Sequence, residues 1–255
     1  MIKTSLKKIN SLKKDNKGIA SLTAYDASFA KVIDDCGIDI ILVGDSLGEV
    51  IQGNKNTHSV TLDEIVYHTK IVSKGITRAY LISDMPRHTY QKPKQAIKNS
   101  KLLIKESGAD MVKIECNNKN FNIIKSLVEQ KISVCGHIGL TPQFISKKNQ
   151  FRKFGVKQTE HDMLVEQAVL VEKAGAKILI VECISEKTAS EISSRLKIPV
   201  IGIGSGKFCD GQILVLYDLL GISFNGIPKF FNNDYLKINN FKDRIKRFIK
   251  DSRNK

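Results

Sequence analysis

The chain has no apolar run of the ~18 residues that a membrane-spanning helix needs, and its first residues lack the apolar core and small-residue cleavage site of a secretory signal. Membrane insertion and secretion are therefore not expected. Cysteine is sparse. The five thiols (Cys36, Cys116, Cys135, Cys183 and Cys209) are odd in number and include no CxxC pair. That argues against a disulfide frame or zinc knuckle and for reduced thiols, hence a cytoplasmic setting. Proline is rare, 5 against 17 glycines, and with 42% apolar and 26% charged residues this excludes a low-complexity or disordered chain.

Acidic residues are outnumbered 26 to 41, leaving a net charge of +15. A nucleic-acid partner is nonetheless not expected. Lysine is spread along the whole chain together with Ile and Asn, as in Lys13-Lys14-Asp15-Asn16-Lys17, and no recognised nucleic-acid-binding module accompanies the charge. The densest basic stretch, Lys147-Lys148-Asn149-Gln150-Phe151-Arg152-Lys153, reads instead as a loop that meets an anionic small molecule. The basic, acid-poor N-terminus fits a transit peptide. Leu6, Ile9 and Leu12 at helical spacing behind Thr4 as an N-cap point rather to a short docking helix.

What the sequence does have is a strand–helix rhythm. The segments 36–43, 107–115 and 174–182 each carry a helix-ending Gly, a short turn and a β-branched apolar run. The runs are continuous rather than alternating, as in parallel strands covered by helices. Further strands are expected at 19–24, 79–84, 132–136, 198–203 and 213–216. Helices are expected at 27–36, 62–74, 93–107, 160–174 and 235–252. At 255 residues, about eight strands alternating with helices and no disordered linker predict a single (β/α)₈ TIM-barrel domain over 1–255, with terminal accessory helices. An open Rossmann sheet would want a Gly-rich turn after its first strand, where the chain has Asp26-Ala27-Ser28. The only glycine cluster, Gly202-Ile203-Gly204-Ser205-Gly206, follows the seventh strand, where it serves either a phosphate or tight packing.

In such a barrel, chemistry gathers at the carboxyl ends of the strands. Those ends carry Asp45 and Ser46, Asp84, Lys113 and Glu115 two apart on one strand face, His137, and Glu182. Three carboxylates from neighbouring strands, Asp45, Asp84 and Glu115, are hard oxygen ligands suited to Mg²⁺. A lysine beside them suits an oxyanion, and a separate Glu and His suit proton transfer. Singly, each has a duller role: helix caps for Asp45 and Asp84, an internal ion pair for Lys113 and Glu115, a hydrogen-bonded core histidine for His137. Together they are costly to bury without a ligand. The set fits enolate chemistry next to a 2-oxo acid carbonyl. Cys116, Cys135 and Cys183 read as small core residues.

The chain closely resembles the 3-methyl-2-oxobutanoate (ketopantoate) hydroxymethyltransferase family. The distinctive stretches are Thr23-Ala24-Tyr25-Asp26-Ala27-Ser28-Phe29-Ala30, Val43-Gly44-Asp45-Ser46-Leu47-Gly48, Ser83-Asp84-Met85-Pro86, Met111-Val112-Lys113-Ile114-Glu115 and Cys135-Gly136-His137-Ile138-Gly139-Leu140-Thr141-Pro142-Gln143. Val200-Ile201-Gly202-Ile203-Gly204-Ser205-Gly206 and Asp210-Gly211-Gln212-Ile213-Leu214-Val215 continue the series in order. The resemblance implies a phosphoenolpyruvate/pyruvate-type barrel. It also implies a Mg²⁺-dependent transfer of a one-carbon unit from 5,10-methylenetetrahydrofolate to 3-methyl-2-oxobutanoate, giving 2-dehydropantoate for pantothenate and coenzyme A synthesis. By that pattern Asp45, Asp84 and Glu115 belong to the metal, Asp45, Ser46, Asp84 and Lys113 contact the oxo acid, Glu182 accepts the proton, and His137 is an accessory. A homo-oligomer, commonly a decamer in bacteria, is implied as well.

The chain departs from the family pattern at Arg87-His88, Cys116-Asn117, Arg152-Lys153-Phe154 and Tyr217-Asp218. None of these removes a metal ligand or the base. They shift attention to the folate side and to loop closure, since glycines permit backbone approaches that Arg and Lys crowd.

Overall fold

Eight short apolar runs, each too continuous to leave one face wet, can hide both faces only inside a sheet closed on itself and wrapped by helices. A computed structural model, which describes residues 3–117, 120–145 and 152–254, has that form. Its strands are β1 (Ile19–Thr23), β2 (Ile40–Val43), β3 (Tyr80–Asp84), β4 (Met111–Glu115), β5 (Val134–Gly139), β6 (Ile178–Glu182), β7 (Val200–Ile203) and β8 (Gly211–Leu214). All pair in parallel with their neighbours in chain order, and β8 closes on β1.

The helices are α1 (Leu6–Lys14), α2 (Ala27–Asp35), α3 (Leu47–Val50), α4 (Leu62–Gly75), α5 (Pro93–Ser107), α6 (Phe121–Glu129), α7 (Gln158–Lys173), α8 (Glu186–Arg195), α9 (Leu216–Leu220) and α10 (Phe241–Arg253). Their starts follow from local chemistry. Asp26 caps α2 through the Phe29 N–H, and Thr61 and Glu64 form a reciprocal capping box at α4. Pro93 opens α5, and Gly108, with φ of 79°, ends it. Their apolar stripes pack on the outer faces of the strands in two clusters.

A third cluster fills the barrel interior: Ile19, Ile40, Leu42, Tyr80, Ile82, Met111, Cys135, Ile178, Ile180, Ile201 and Ile213. Ile9 and Leu12 of α1 belong to the same cluster, so α1 closes the amino-terminal mouth of the barrel. Lys13 fixes it there, donating to Asp210 at 2.7 Å and to the carbonyls of Ser193 and Ile198. The N-cap is Ser5, whose Oγ accepts from Lys8 N–H, rather than Thr4, whose own N–H is drawn to the Arg78 carbonyl.

Several other boundaries differ from the sequence reading. The fifth strand starts at Val134 and runs through His137 to Gly139. The last strand ends at Leu214 rather than Leu216, because the Leu216 N–H is captured by Thr23 Oγ1 and begins α9. The terminal helix is broken: residues Asn233–Lys237 form a 3₁₀ turn, and the Asn240 side chain accepts from Lys242 and Asp243 to start α10 afresh. In the glycine cluster, a Cβ at Gly204 would lie 2.9 Å from the Phe230 ring and one at Gly206 within 2.4 Å of Glu186, so close packing governs both positions.

Candidate active site

The alternation that fills the barrel floor also raises its polar roof. Inward positions run Tyr80, Ile82, Asp84 on β3, then Met111, Lys113, Glu115 on β4, Cys135, His137 on β5, and Ile178, Ile180, Glu182 on β6. The lower members are interior core, and the upper members line a cavity of about 510 Å³ at the carboxyl ends of the strands. Register sets Asp84 opposite Lys113 and Glu115 opposite His137. Asp45 and Ser46 come from the turn after β2. The Asp45 N–H points at Asp84 Oδ2 at 3.3 Å, and Ser46 Oγ lies 2.7 Å from the Tyr25 hydroxyl. All seven residues selected from the sequence therefore line one cavity.

Their pairing is not the simplest one. Lys113 Nζ donates to Asp84 Oδ2 at 2.6 Å, not to Glu115, because the register places Asp84 beside it while Glu115 stands one step higher on β4. Burial opposes the charge on Lys113, but Asp84, Asp45 and Glu115 outweigh it, and the ammonium is held above its usual range. Burial raises the Asp84 carboxyl to about 7, Lys113 pulling it down and Asp45 pushing it up. Burial likewise raises Glu115, opposed by His137. His137 lies between two carboxylates, with Nδ1 3.6 Å from Glu115 Oε1 and Nε2 3.1 Å from Glu182 Oε2. Both contacts are ion pairs rather than well-formed hydrogen bonds. Burial disfavours its charge, yet the two glutamates raise it to about 9, so the ring is protonated at neutral pH.

Three carboxylate oxygens in this roof, Asp45 Oδ2, Asp84 Oδ1 and Glu115 Oε1, are buried without a hydrogen-bond partner. Lys113 and the protonated His137 stand against four carboxylates, Asp45, Asp84, Glu115 and Glu182. Orphaned oxygens with an excess of negative charge are what a hard cation satisfies, so the donor set fits Mg²⁺. Among the described residues no three His, Cys, Asp or Glu side chains converge on a single point. An ion there would take part of its shell from water and substrate, as Mg²⁺ commonly does.

The structure adds residues that spacing did not single out. Gln143, fully buried, donates its N–H to Glu115 Oε2 at 3.0 Å and its Nε2 to the Met85 carbonyl, and accepts from the Tyr90 hydroxyl. It ties the loops after β3 and β5 to the end of β4. Glu49, Thr57, Ser223 and Asp218 also line the cavity. Tyr25 and Gln143 stood inside quoted motifs and were legible; Glu49 and Thr57 carried no signal. Of the altered loops, Arg87 and His88 are not among the described residues lining the cavity. Arg152 lines it while held by Glu160 at 2.5 Å and stacked 4.2 Å over Phe154. The rest of the expected anion loop, Lys147–Phe151, lies outside the described residues.

A closed eight-stranded parallel barrel with an acid–base constellation at its carboxyl rim defines a (β/α)₈-barrel enzyme. The sequence profile of the ketopantoate hydroxymethyltransferase family matches residues 3–255. The 3-methyl-2-oxobutanoate hydroxymethyltransferase of Ruthia magnifica subsp. Calyptogena magnifica is 44% identical over 251 residues, covering 98% of this chain and 96% of its own. That of Clostridium beijerinckii is 45% identical over 241 residues, covering 94% and 87%. Among solved structures, 2,3-dimethylmalate lyase, a PEP mutase/isocitrate lyase superfamily member, superposes with a TM-score of 0.59 at 15% identity, over 79% of this chain and 72% of that one. Phosphonopyruvate hydrolase in complex with oxalate and Mg²⁺ gives 0.58 at 12% identity, over 80% and 72%. The chain belongs to the ketopantoate hydroxymethyltransferase family and is a hydroxymethyltransferase of pantothenate synthesis. No helix among the described residues is long and apolar enough to cross a membrane.

Proposed function

We propose that this chain transfers a one-carbon unit from 5,10-methylenetetrahydrofolate to C3 of 3-methyl-2-oxobutanoate, giving 2-dehydropantoate. The observation that carries the reading is the roof itself: Asp45, Asp84, Glu115, Lys113, His137 and Glu182 on one cavity, three of them with orphaned oxygens. Asp45, Asp84 and Glu115 would hold Mg²⁺, which supplies Lewis-acid stabilisation to the oxygens of a bound 2-oxo acid.

The chain's own residues divide the remaining work. Ser46 and Lys113 bind the oxo acid, Lys113 presenting a permanent positive charge in a dry site where it is worth most. Glu182 accepts the C3 proton. Its position on the last inward step of β6 leaves its side chain 18% exposed, open to the cavity rather than sealed in the core. Protonated His137 holds that carboxylate in place from below, at 3.1 Å. Loss of the C3 proton leaves an enolate, and Lys113 offsets the charge on its oxygen. Water releases the donor's one-carbon unit at the formaldehyde level: its oxygen goes to that carbon as both C–N bonds break, and its two protons go to N5 and N10 of the departing tetrahydrofolate. The enolate carbon forms the new C–C bond to that carbon, and the resulting alkoxide takes the proton held on Glu182, which gives the hydroxymethyl group and restores the base.

The test is a discontinuous assay for 2-dehydropantoate with purified protein, Mg²⁺, 3-methyl-2-oxobutanoate and 5,10-methylenetetrahydrofolate. Product that depends on both substrates is expected. A folded, Mg²⁺-supplied protein that forms none would overturn the reading.

A further inference from the structure

The cavity is larger than its proposed first substrate. A volume of about 510 Å³ is in the range that houses drug-sized ligands, whereas the oxo acid has only five carbons. Besides the polar roof, the lining includes Val50, Val215, Pro228 and Phe230, apolar surfaces suited to a flat ring. Glu49, from α3, lines the same cavity. Its carboxylate has no hydrogen-bond or ion-pair partner among the described residues. Burial raises it to about 7, and Asp45, Glu182 and Asp218 all push it the same way. Thr57, 2% exposed, lines the same cavity with an unpartnered hydroxyl. Asp218 faces the cavity too, but is already engaged by the Ser223 hydroxyl.

A half-buried carboxylate surrounded by like charge, with no donor of its own, needs donors from a ligand. A lone cation would satisfy the charge but would leave the apolar lining of the cavity uncovered. A carboxylate's two oxygens instead match two parallel N–H groups on a planar edge. The 2-amino-4-oxopyrimidine ring of the folate donor has such an edge, N3–H beside the 2-amino group.

We propose that Glu49 is the residue that recognises the pterin ring of the one-carbon donor, accepting its N3–H and 2-amino protons. The proposal rests on the donor assigned above. It makes Glu49 a specificity residue rather than a participant in proton transfer. The ring packs against the apolar lining while the oxo acid occupies the polar roof.

The experiment compares wild type and Glu49→Gln with two donors, 5,10-methylenetetrahydrofolate and its analogue lacking the 2-amino group. Hydrogen bonds to a charged group contribute enough for a preference of about 10- to 100-fold. Wild type should therefore favour the full donor in KM by at least about tenfold. Glu49→Gln should raise KM for the full donor by a similar factor and discriminate between the two by less than about threefold. The KM for the oxo acid should move little. If Glu49→Gln does not fold, Glu49→Asp gives the same readout, with the preference reduced by the shorter reach. Undiminished discrimination in either variant would overturn the proposal, as would loss of C3 proton exchange without a change in donor KM. A wild type that exchanges the C3 proton but uses no folate donor would overturn the donor assignment itself, a distinct result.

Discussion

His137 Nε2 stands 3.1 Å from Glu182 Oε2, and its other ring nitrogen faces Glu115, so one imidazolium links the proposed metal side of the site to the proposed base. Burial alone would strip the proton from this ring. The two glutamates keep it, and with it a positive charge below the carboxylate that faces the substrate.

From that arrangement, Glu182→Gln keeps the shape and the His137 contact but removes the basic lone pair. Exchange of the C3 proton of 3-methyl-2-oxobutanoate with deuterium should fall by at least ~10²-fold. Binding of the oxo acid, followed by calorimetry, should change little. Exchange at the wild-type rate would remove Glu182 from its role.

Lys113 and Asp84 form a pair with side chains 6% and 0% exposed. Removing one partner strands the other, and Lys113→Met should cost on the order of 3 kcal/mol in urea unfolding at pH 8. Removing both, with Asp84→Leu added, should cost less than Lys113→Met alone. A single-variant loss under ~1 kcal/mol would show that the pair does not hold as described.

Asp218 gives the pH dependence a definite sign. Burial raises its carboxyl to about 6, against a Ser223 hydrogen bond that lowers it. A carboxyl raised above its unfolded value favours the native state only while protonated, so stability is lost as pH rises from ~4 through 6. Asp218→Asn retains an acceptor for Ser223 and should be more stable than wild type at pH 7.5, by on the order of 1–2 kcal/mol. The gain should vanish near pH 4. A difference in melting temperature that does not depend on pH would contradict the assignment.

Ile9 is fully buried in the barrel interior although it belongs to a helix outside the barrel. Ile9→Ala should cost about 2–4 kcal/mol, measured by denaturant unfolding. A cost typical of a surface site, under ~0.5 kcal/mol, would mean that α1 is not the floor of the barrel.

The barrel was legible because continuous β-branched runs following helix-ending glycines carry their own signature, and the inward periodicity of two placed Lys113 and Glu115 together on β4. The lateral partner of Lys113 was not legible. Strand register decides it, and register is a tertiary property that no spacing within β4 records. The offset of β8 had a similar origin: the run through Leu216 is apolar throughout, and only Thr23, far away in sequence, takes its N–H. Glu49 was hidden because α3 is a single short turn with no periodicity to mark which side faces the cavity.

Metal-dependent enolate formation is tested by deuterium exchange at C3 of 3-methyl-2-oxobutanoate by the wild-type protein without any folate, with Mg²⁺ and then with EDTA. Exchange is expected with Mg²⁺, with its loss in EDTA and its return on adding the ion back. A folded protein that exchanges no deuterium with Mg²⁺ present, or exchanges equally well in EDTA, would contradict it.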